Sequence, residues 1–270
     1  MNDGLAIRIG FFISIFVFVA IWELLAPRRK LTSSKTARWV SNLCITILNP
    51  LLVRLLFPIL ALGMALKAQE SGWGLLNNLS IHLWLAVLVS VVALDFIIYL
   101  QHVMFHAIPT LWRLHMVHHA DLDFDVTTGL RFHPIEIILS MAIKISVVAV
   151  LGSPVTAVLI FEILLNATAM FNHSNIRLPL KFDRLLRLFV VTPDMHRVHH
   201  SVIIRETNSN YGFNLPWWDR LLGTYWDQPT RGHEGMTIGL AQFRDSKKLT
   251  FPWLLILPFV GDPGKQPINR

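Results

Sequence analysis

The sequence predicts an all-α, multi-pass membrane helical bundle of about four to five apolar spans. Two observations carry that prediction. The chain is 53% hydrophobic and only 15% charged, with mean hydropathy +0.51, whereas a soluble domain carries about 25% charged residues. Its apolar residues are also gathered into runs close to the roughly 20 residues that cross a bilayer. The single Cys44 sits in one of these runs, so neither an internal disulfide nor a cysteine-based metal site is available. A net charge of +7 and a pI near 9.9 do not point to nucleic acid. The basic residues flank apolar spans, where they set orientation and meet anionic membrane lipids.

The first apolar run, Leu5 to Leu25, ends in Pro27-Arg28-Arg29-Lys30. Positive charge follows the run and no small-residue cleavage site does, so it reads as a retained span rather than a signal peptide. The second, Trp39 to Leu66, is interrupted by Asn49-Pro50, Arg54 and Pro58, which leaves a kinked helix or two half-helices. The third, Ile81 to Leu100, is nearly uncharged apart from Asp95. Pro134 to Leu151 and Pro154 to Phe171, joined by Gly152-Ser153, are near the short limit and form a spanning or re-entrant hairpin. Phe251 to Val260, with Pro252 and Pro258, is too short to cross and reads as interfacial. The whole, 1–270, is expected to be a single domain: N-terminal spans in 1–80, a central region in 81–228, and an interfacial tail in 229–270.

Arg28, Arg29, Lys30, Lys35 and Arg38 place the first loop in the cytoplasm by the positive-inside rule. Counting spans from there brings the end of the third span and the end of the hairpin to the same side. Those ends carry the histidines. His-x-x-His-His occurs twice, at His115/His118/His119 and His196/His199/His200, and His-x-x-x-His once, at His102/His106. On a helix, i, i+3 and i+4 share a face, so each motif points two or three imidazoles in one direction. Neutral imidazole suits iron, zinc and copper. The motifs offer more imidazoles than one ion needs, so two metals are the natural count. The expected arrangement is a cytoplasmic helical cap carrying a histidine-rich dimetal site. A histidine-rich amphipathic surface is the plain alternative, but it leaves three such motifs on one membrane face unexplained.

His173 ends the fifth span on that side and joins the candidate metal ligands, with a helix C-cap as its alternative. Asp95, Tyr99, His102 and His106 fall at i, i+4, i+7 and i+11, one helical stripe. A carboxylate in an apolar span is costly and usually functional, and Asp95 is placed to accept the second N–H of a ligand imidazole. His133, before Pro134, is open as a ligand, a substrate contact or a helix flank. His82 lies at the opposite end of the third span, and His233, alone beside glycines, is expected at the surface. Trp217, Trp218 and Trp226 read as an interfacial belt rather than a lipid channel.

The set His-x-x-x-His, His-x-x-His-His, Asn-His, His-x-x-His-His resembles the sterol desaturase and fatty acid hydroxylase superfamily of membrane di-iron oxygenases. Arg131-Phe132-His133-Pro134, Phe171-Asn172-His173-Ser174-Asn175 and Thr192-Pro193-Asp194-Met195-His196-Arg197-Val198-His199-His200 carry the likeness, with Asn210-Tyr211-Gly212 and Trp218-Asp219-Arg220-Leu221-Leu222-Gly223-Thr224-Tyr225. It runs from about residue 85 to 228. One departure is Val103, where members often carry Arg. The resemblance implies two iron ions, O2 as co-substrate, and hydroxylation or desaturation of an unactivated C–H position in a bilayer lipid such as a sterol or fatty acyl chain. Zinc is an expected occupant of purified protein, because Zn(II) outcompetes Fe(II) at nitrogen sites. Asp95, Tyr99 and Asp194 are the candidate catalytic residues beside the histidines. The sequence has no haem-attachment motif, cysteine cluster or nucleotide-binding glycine motif, so an external electron donor of cytochrome b5, ferredoxin or reductase type is expected at the basic face.

Other classes fit less well. A metal transporter needs ligands along a path through the spans, and a bis-histidine cytochrome needs them paired in mid-membrane; here they gather at one side. A membrane zinc-dependent lipid hydrolase would show His-Glu-x-x-His, but His233-Glu234 is followed by Gly-Met-Thr.

Overall fold

In the computed structural model, which describes residues 2–264, the first apolar run forms α1 (Asn2–Leu25). Helix α2 (Lys35–Leu56) starts at Ser34, whose side chain accepts the Ala37 N–H at 3.4 Å. Pro50 lies inside α2 without ending it. The break comes at Pro58, whose ring disfavours helical backbone in the residue before it; Phe57 is extended (φ −109°, ψ 112°). Helix α3 (Ala61–Ser71) follows, so the second span is two helices.

Helix α4 (Leu83–Ala107) outruns the apolar stretch that predicted it, because His102 and His106 continue it on a buried face. It stops where Pro109 holds Ile108 extended, and α5 (Pro109–His119) begins with that proline. Helix α6 (Pro134–Leu151) also opens on proline, with His133 as N-cap accepting the Ile135 N–H at 3.2 Å. Helix α7 (Val155–Asn172) completes the hairpin. The remainder is a cap of short helices, α8 (Leu180–Leu186), α9 (Pro193–His199), α10 (Ile204–Thr207), α11 (Trp217–Leu221) and α12 (Gly232–Gly235), ending in α13 (Phe251–Val260). Two isolated bridges, Pro27 with Ile176 and Ser201 with Ile238, are the only β pairing among the described residues.

Five segments are long and apolar enough to cross a membrane: Gly4–Leu25, Lys35–Asn78, Leu83–Ala107, Pro134–Leu151 and Val155–Asn172. The protein is an all-α, multi-pass membrane protein. Leu25, Leu55, Trp84 and Val150 are 66–79% exposed, as side chains solvated by acyl chains can be. Helix α7 packs against α1, α3 and α4, while α6 packs against α2 and α3. Leu94, Ile98, Val148, Val158 and Phe161 form the core between them. At one end of the bundle the 72–78 connection meets the α6–α7 turn backbone to backbone. Gly74 (φ 89°) and Gly152 (φ 66°) permit this, since a Cβ on Gly74 would stand 2.1 Å from the Gly152 nitrogen.

At the other end, the 120–133 connection is buried. Arg38 donates to Asp121 and to Asp125, each at 2.6 Å, and Asp123 accepts the Thr32 and Ser33 amides at 2.9 and 2.8 Å. Arg38, counted above among the basic residues that orient the first loop, is thus a buried, neutralised tie between α2 and this connection. Helix α13 packs on α5 and α2 through Leu254 and Leu257 while Phe259 and Val260 stay exposed.

Candidate metal centre

Four segments deliver nine histidines to one place. The last turns of α4 carry His102 and His106, and the end of α5 carries His115, His118 and His119. His173 caps α7, and α9 carries His196 and His199 with His200 as its cap. Thr192 starts α9 by accepting the Met195 N–H at 3.3 Å, and Pro193 occupies its first position. All nine side chains are buried. They fall into two groups, His102/His106/His115/His119/His199 and His118/His173/His196/His200, with the ligand nitrogens of each within 4.8 Å of one another.

The motifs do not each serve one group. Helix α5 gives His115 and His119 to the first and His118 to the second; α9 gives His196 and His200 to the second and His199 to the first. Helical geometry is the reason. Neighbouring residues are about 100° apart around the axis, so on the shared face i+4 falls about 40° to one side of i and i+3 about 60° to the other, enough to aim them at different groups. The groups share a wall: the His119 and His200 rings stack at 4.6 Å, and His115 and His118 lie 5.2 Å apart.

Hydrogen bonds on the outer ring nitrogens fix how these imidazoles face. His102 Nδ1 is 2.8 Å from the Tyr211 carbonyl, His199 Nδ1 2.7 Å from that of Ser209, and His173 Nδ1 2.8 Å from that of Ala169. His115 Nδ1 is 2.7 Å from Glu136 Oε1. A carbonyl or carboxylate can only accept, so each Nδ1 carries the proton and each Nε2 presents a lone pair inward. The Nε2 atoms of His102, His115 and His199 are buried without a partner. His173 Nε2 faces those of His118 and His196 at 3.1 Å each. Converging lone pairs with no protein donor fit a cation, and the all-imidazole donor set fits a divalent transition metal.

Burial pushes the His115 and His173 imidazoles down to about 3. Burial and then neighbouring imidazoles hold His118, His119, His196, His199 and His200 well below the ordinary value. All are therefore neutral at pH 7, the form that binds metal.

Asp95, expected beside an imidazole, instead accepts the Asn214 and Leu215 amides at 3.3 Å each and the Trp218 indole N–H at 2.7 Å. Two helical turns separate it from His102, and the 209–219 connection fills that space. Tyr99 bonds Thr224 Oγ1 at 2.9 Å, and Thr224 donates to Asp219 at 2.7 Å. Asp219 also accepts the Tyr211 and Gly212 amides, each at 2.8 Å. Asp95, Tyr99 and Asp219 thus pin the loop whose Tyr211 and Ser209 carbonyls orient His102 and His199. Asp194 pairs with Arg197 and, at 3.2 Å, with Arg28. Burial alone would raise its carboxyl, but Arg197, His233 and Arg28 together hold it below the usual range.

The carboxylate that meets an imidazole of the two groups is Glu136, which the sequence reading did not single out. Its signal was an acid inside an apolar run, the same one that drew attention to Asp95. His133 bonds the Leu255 carbonyl at 3.2 Å and belongs to neither group. His82 is exposed at the start of α4. His233, expected at the surface, is 5% exposed; Gly232 (φ 66°) turns the chain inward, where His233 Nε2 lies 3.1 Å from Gln228 and 3.6 Å from Asp194. Trp217 is exposed, Trp218 is held by Asp95, and Trp226 lies under Arg205 at 4.8 Å.

A cavity of about 640 Å³ runs from His102, His115 and Phe132 into the bundle, between α1, α2, α4, α6 and α7. A second concavity, about 790 Å³, is lined by Arg28, Arg29, Lys30 and Lys35 with Glu23 and Glu234.

The family model described as fatty acid hydroxylase matches residues 87–224, just over half of the chain. An ornithine lipid hydroxylase from Rhizobium tropici is 27% identical over 228 residues, 81% of this chain and 66% of that protein. Alkylglycerol monooxygenase from Xenopus tropicalis is 30% identical over 57% of this chain and 32% of its own length. A fatty acid hydroxylase from a Lecanicillium species is 28% identical over 54% of this chain and 43% of its own length. The matched stretches thus span from about a third to just under two thirds of these relatives. No solved structure matches.

Proposed function

The chain belongs to the fatty acid hydroxylase family, and from that premise we propose that it hydroxylates an unactivated C–H position of a bilayer lipid, using O2. The observation that carries this reading is a pair of adjoining buried imidazole groups, the first of which lines an apolar cavity through His102 and His115. Two iron ions, one in each group, would supply the O2-dependent oxidation. The named relatives are hydroxylases and monooxygenases, which favours hydroxylation over desaturation.

The chain itself binds, orients and excludes water. The cavity walls, among them Ile98, Phe105, Ile137, Met141 and Leu165, hold the lipid by apolar contact and keep water from the reacting carbon. Glu136 and the Tyr211, Ser209 and Ala169 carbonyls keep the imidazole protons on Nδ1. Asp95, Tyr99 and Asp194 act as positioning residues through the 209–219 loop and α9. The basic residues following α1 face the cytoplasm in this reading. Arg28, Arg29, Lys30 and Lys35 line the outer concavity, which receives the acidic face of an external electron donor of cytochrome b5, ferredoxin or reductase type.

Growth under 18O2 of cells making the protein, followed by lipid mass spectrometry, tests the proposal. A lipid alcohol carrying the heavy isotope is expected, and it should vanish in H118A and in H199A, each of which removes a ligand from a different group. An unlabelled alkene, or full product from either variant, contradicts it.

A further inference from the structure

Three ionisable side chains meet inside the bundle, away from the histidines: Arg8 of α1, Lys144 of α6 and Glu162 of α7. Glu162 pairs with Arg8 and stands 3.4 Å from the Lys144 ammonium. All three belong to membrane-crossing segments, where charge is costly and usually functional. One carboxylate serves two cations, and no other acid pairs with Arg8 or Lys144 among the described residues. The cluster therefore carries an unbalanced positive charge. A purely structural tie between helices needs only one cation for its carboxylate.

Lys144 lines the cavity that His102 and His115 line at the other end. It lies eight residues beyond Glu136 on α6, about 12 Å along the helix. Gln101, Ser140 and Asn166 add neutral polar groups to the wall, and Gln101 Oε1 is buried without a partner. Ile98, Ile137, Met141 and Leu165 make the rest of the wall largely apolar. A largely apolar cavity with imidazoles and the His115-bound Glu136 at one end, and two cations on one carboxylate at the other, matches the charge of an amphipathic acid lying with its head toward Lys144.

We propose that Lys144, backed by Glu162 and Arg8, anchors the acidic head of the lipid substrate, a carboxylate or a phosphate. The anchor sets which carbon reaches the histidines: one about 12 Å along α6 from the head, in the body of the chain rather than beside the acid. This rests on the reading of the cavity as the lipid site.

Equilibrium binding of radiolabelled palmitate, hexadecyl phosphate and hexadecanol to the full chain in nanodiscs tests the anchor without turnover. K144M is expected to weaken the acid probes about tenfold or more, while hexadecanol changes by less than about twofold. The stronger of the two acids identifies the head group. K144R should restore acid binding, and E162Q, which frees both cations, should tighten it. Acid binding indifferent to K144M, equal losses for acid and alcohol, or weaker acid binding in E162Q overturns the anchor and leaves the proposed hydroxylase standing. If the wild type binds none of the three probes, the anchor and the assignment of this cavity to a single-chain lipid fall, and the 18O2 experiment decides the hydroxylase separately.

Discussion

His115 keeps its Nδ1 proton on Glu136, and that single contact decides whether its inward nitrogen is a lone pair. In E136Q the amide can donate to Nδ1 as well as accept from it, so the tautomer is no longer imposed. Loss of such an outer partner costs about 10- to 100-fold in metal affinity, which chelator competition followed by metal analysis would read; unchanged affinity would show that Glu136 does not orient the imidazole. The nine histidines were legible in the sequence because their spacing is itself helical geometry. Glu136 was legible only in principle, since Asp95 shares a stripe with His102 and Glu136 does not share one with His115. The Tyr211, Ser209 and Ala169 carbonyls could not be read at all, because every residue has a carbonyl and only the fold selects three.

Short elements do the positioning. Helices α5 and α9 both open on a proline and end in their histidines, and the 209–219 connection, held in shape by Asp219, meets α9 through the Ser209 carbonyl and α4 through that of Tyr211. D219A would leave the buried Tyr211 and Gly212 amides without their acceptor, at about 1–3 kcal/mol for each unsatisfied group. A lower thermal midpoint and faster metal loss are expected together. A variant as stable and as metal-retentive as the wild type would contradict the role given to this loop. The apolar runs marked α1, α6 and α7 almost to the residue, because span length and prolines are local signals. The same signals left the second run ambiguous. Its break at Pro58 rather than Pro50 depends on which proline the packing tolerates; beside Pro50, Asn49 ties the unbroken α2 to the Phe132 carbonyl at 3.0 Å. His233 was misplaced because Asp194, toward which the chain turns it, lies far away in sequence.

Across the whole molecule, the buried imidazoles make stability depend on pH. Unfolded histidine takes a proton below about 6.5, whereas His115 and His173 refuse one down to about 3. Between those values the unfolded chain binds more protons than the folded one. The stability these groups confer is therefore complete above 6.5 and is lost as pH falls, by up to about 1.4 kcal/mol per unit for each. The melting midpoint of metal-stripped protein should drop from pH 7 to pH 5, and a flat or rising profile would contradict burial of neutral imidazoles. Restoring metal should raise the midpoint at pH 7, as any ligand specific to the folded state does. The multi-pass architecture was plain from composition, and the gathering of the motifs at one end followed from counting spans. The exchange of middle histidines between α5 and α9 was not, because it joins helices far apart in the chain. Through that exchange both chambers lean on α5 and α9, with only α4 private to one and the α7 cap to the other: emptying one slackens two helices on which its neighbour also leans. Were two ions bound as proposed, they would be expected to enter and leave in concert, with the half-filled protein a fleeting species in any titration.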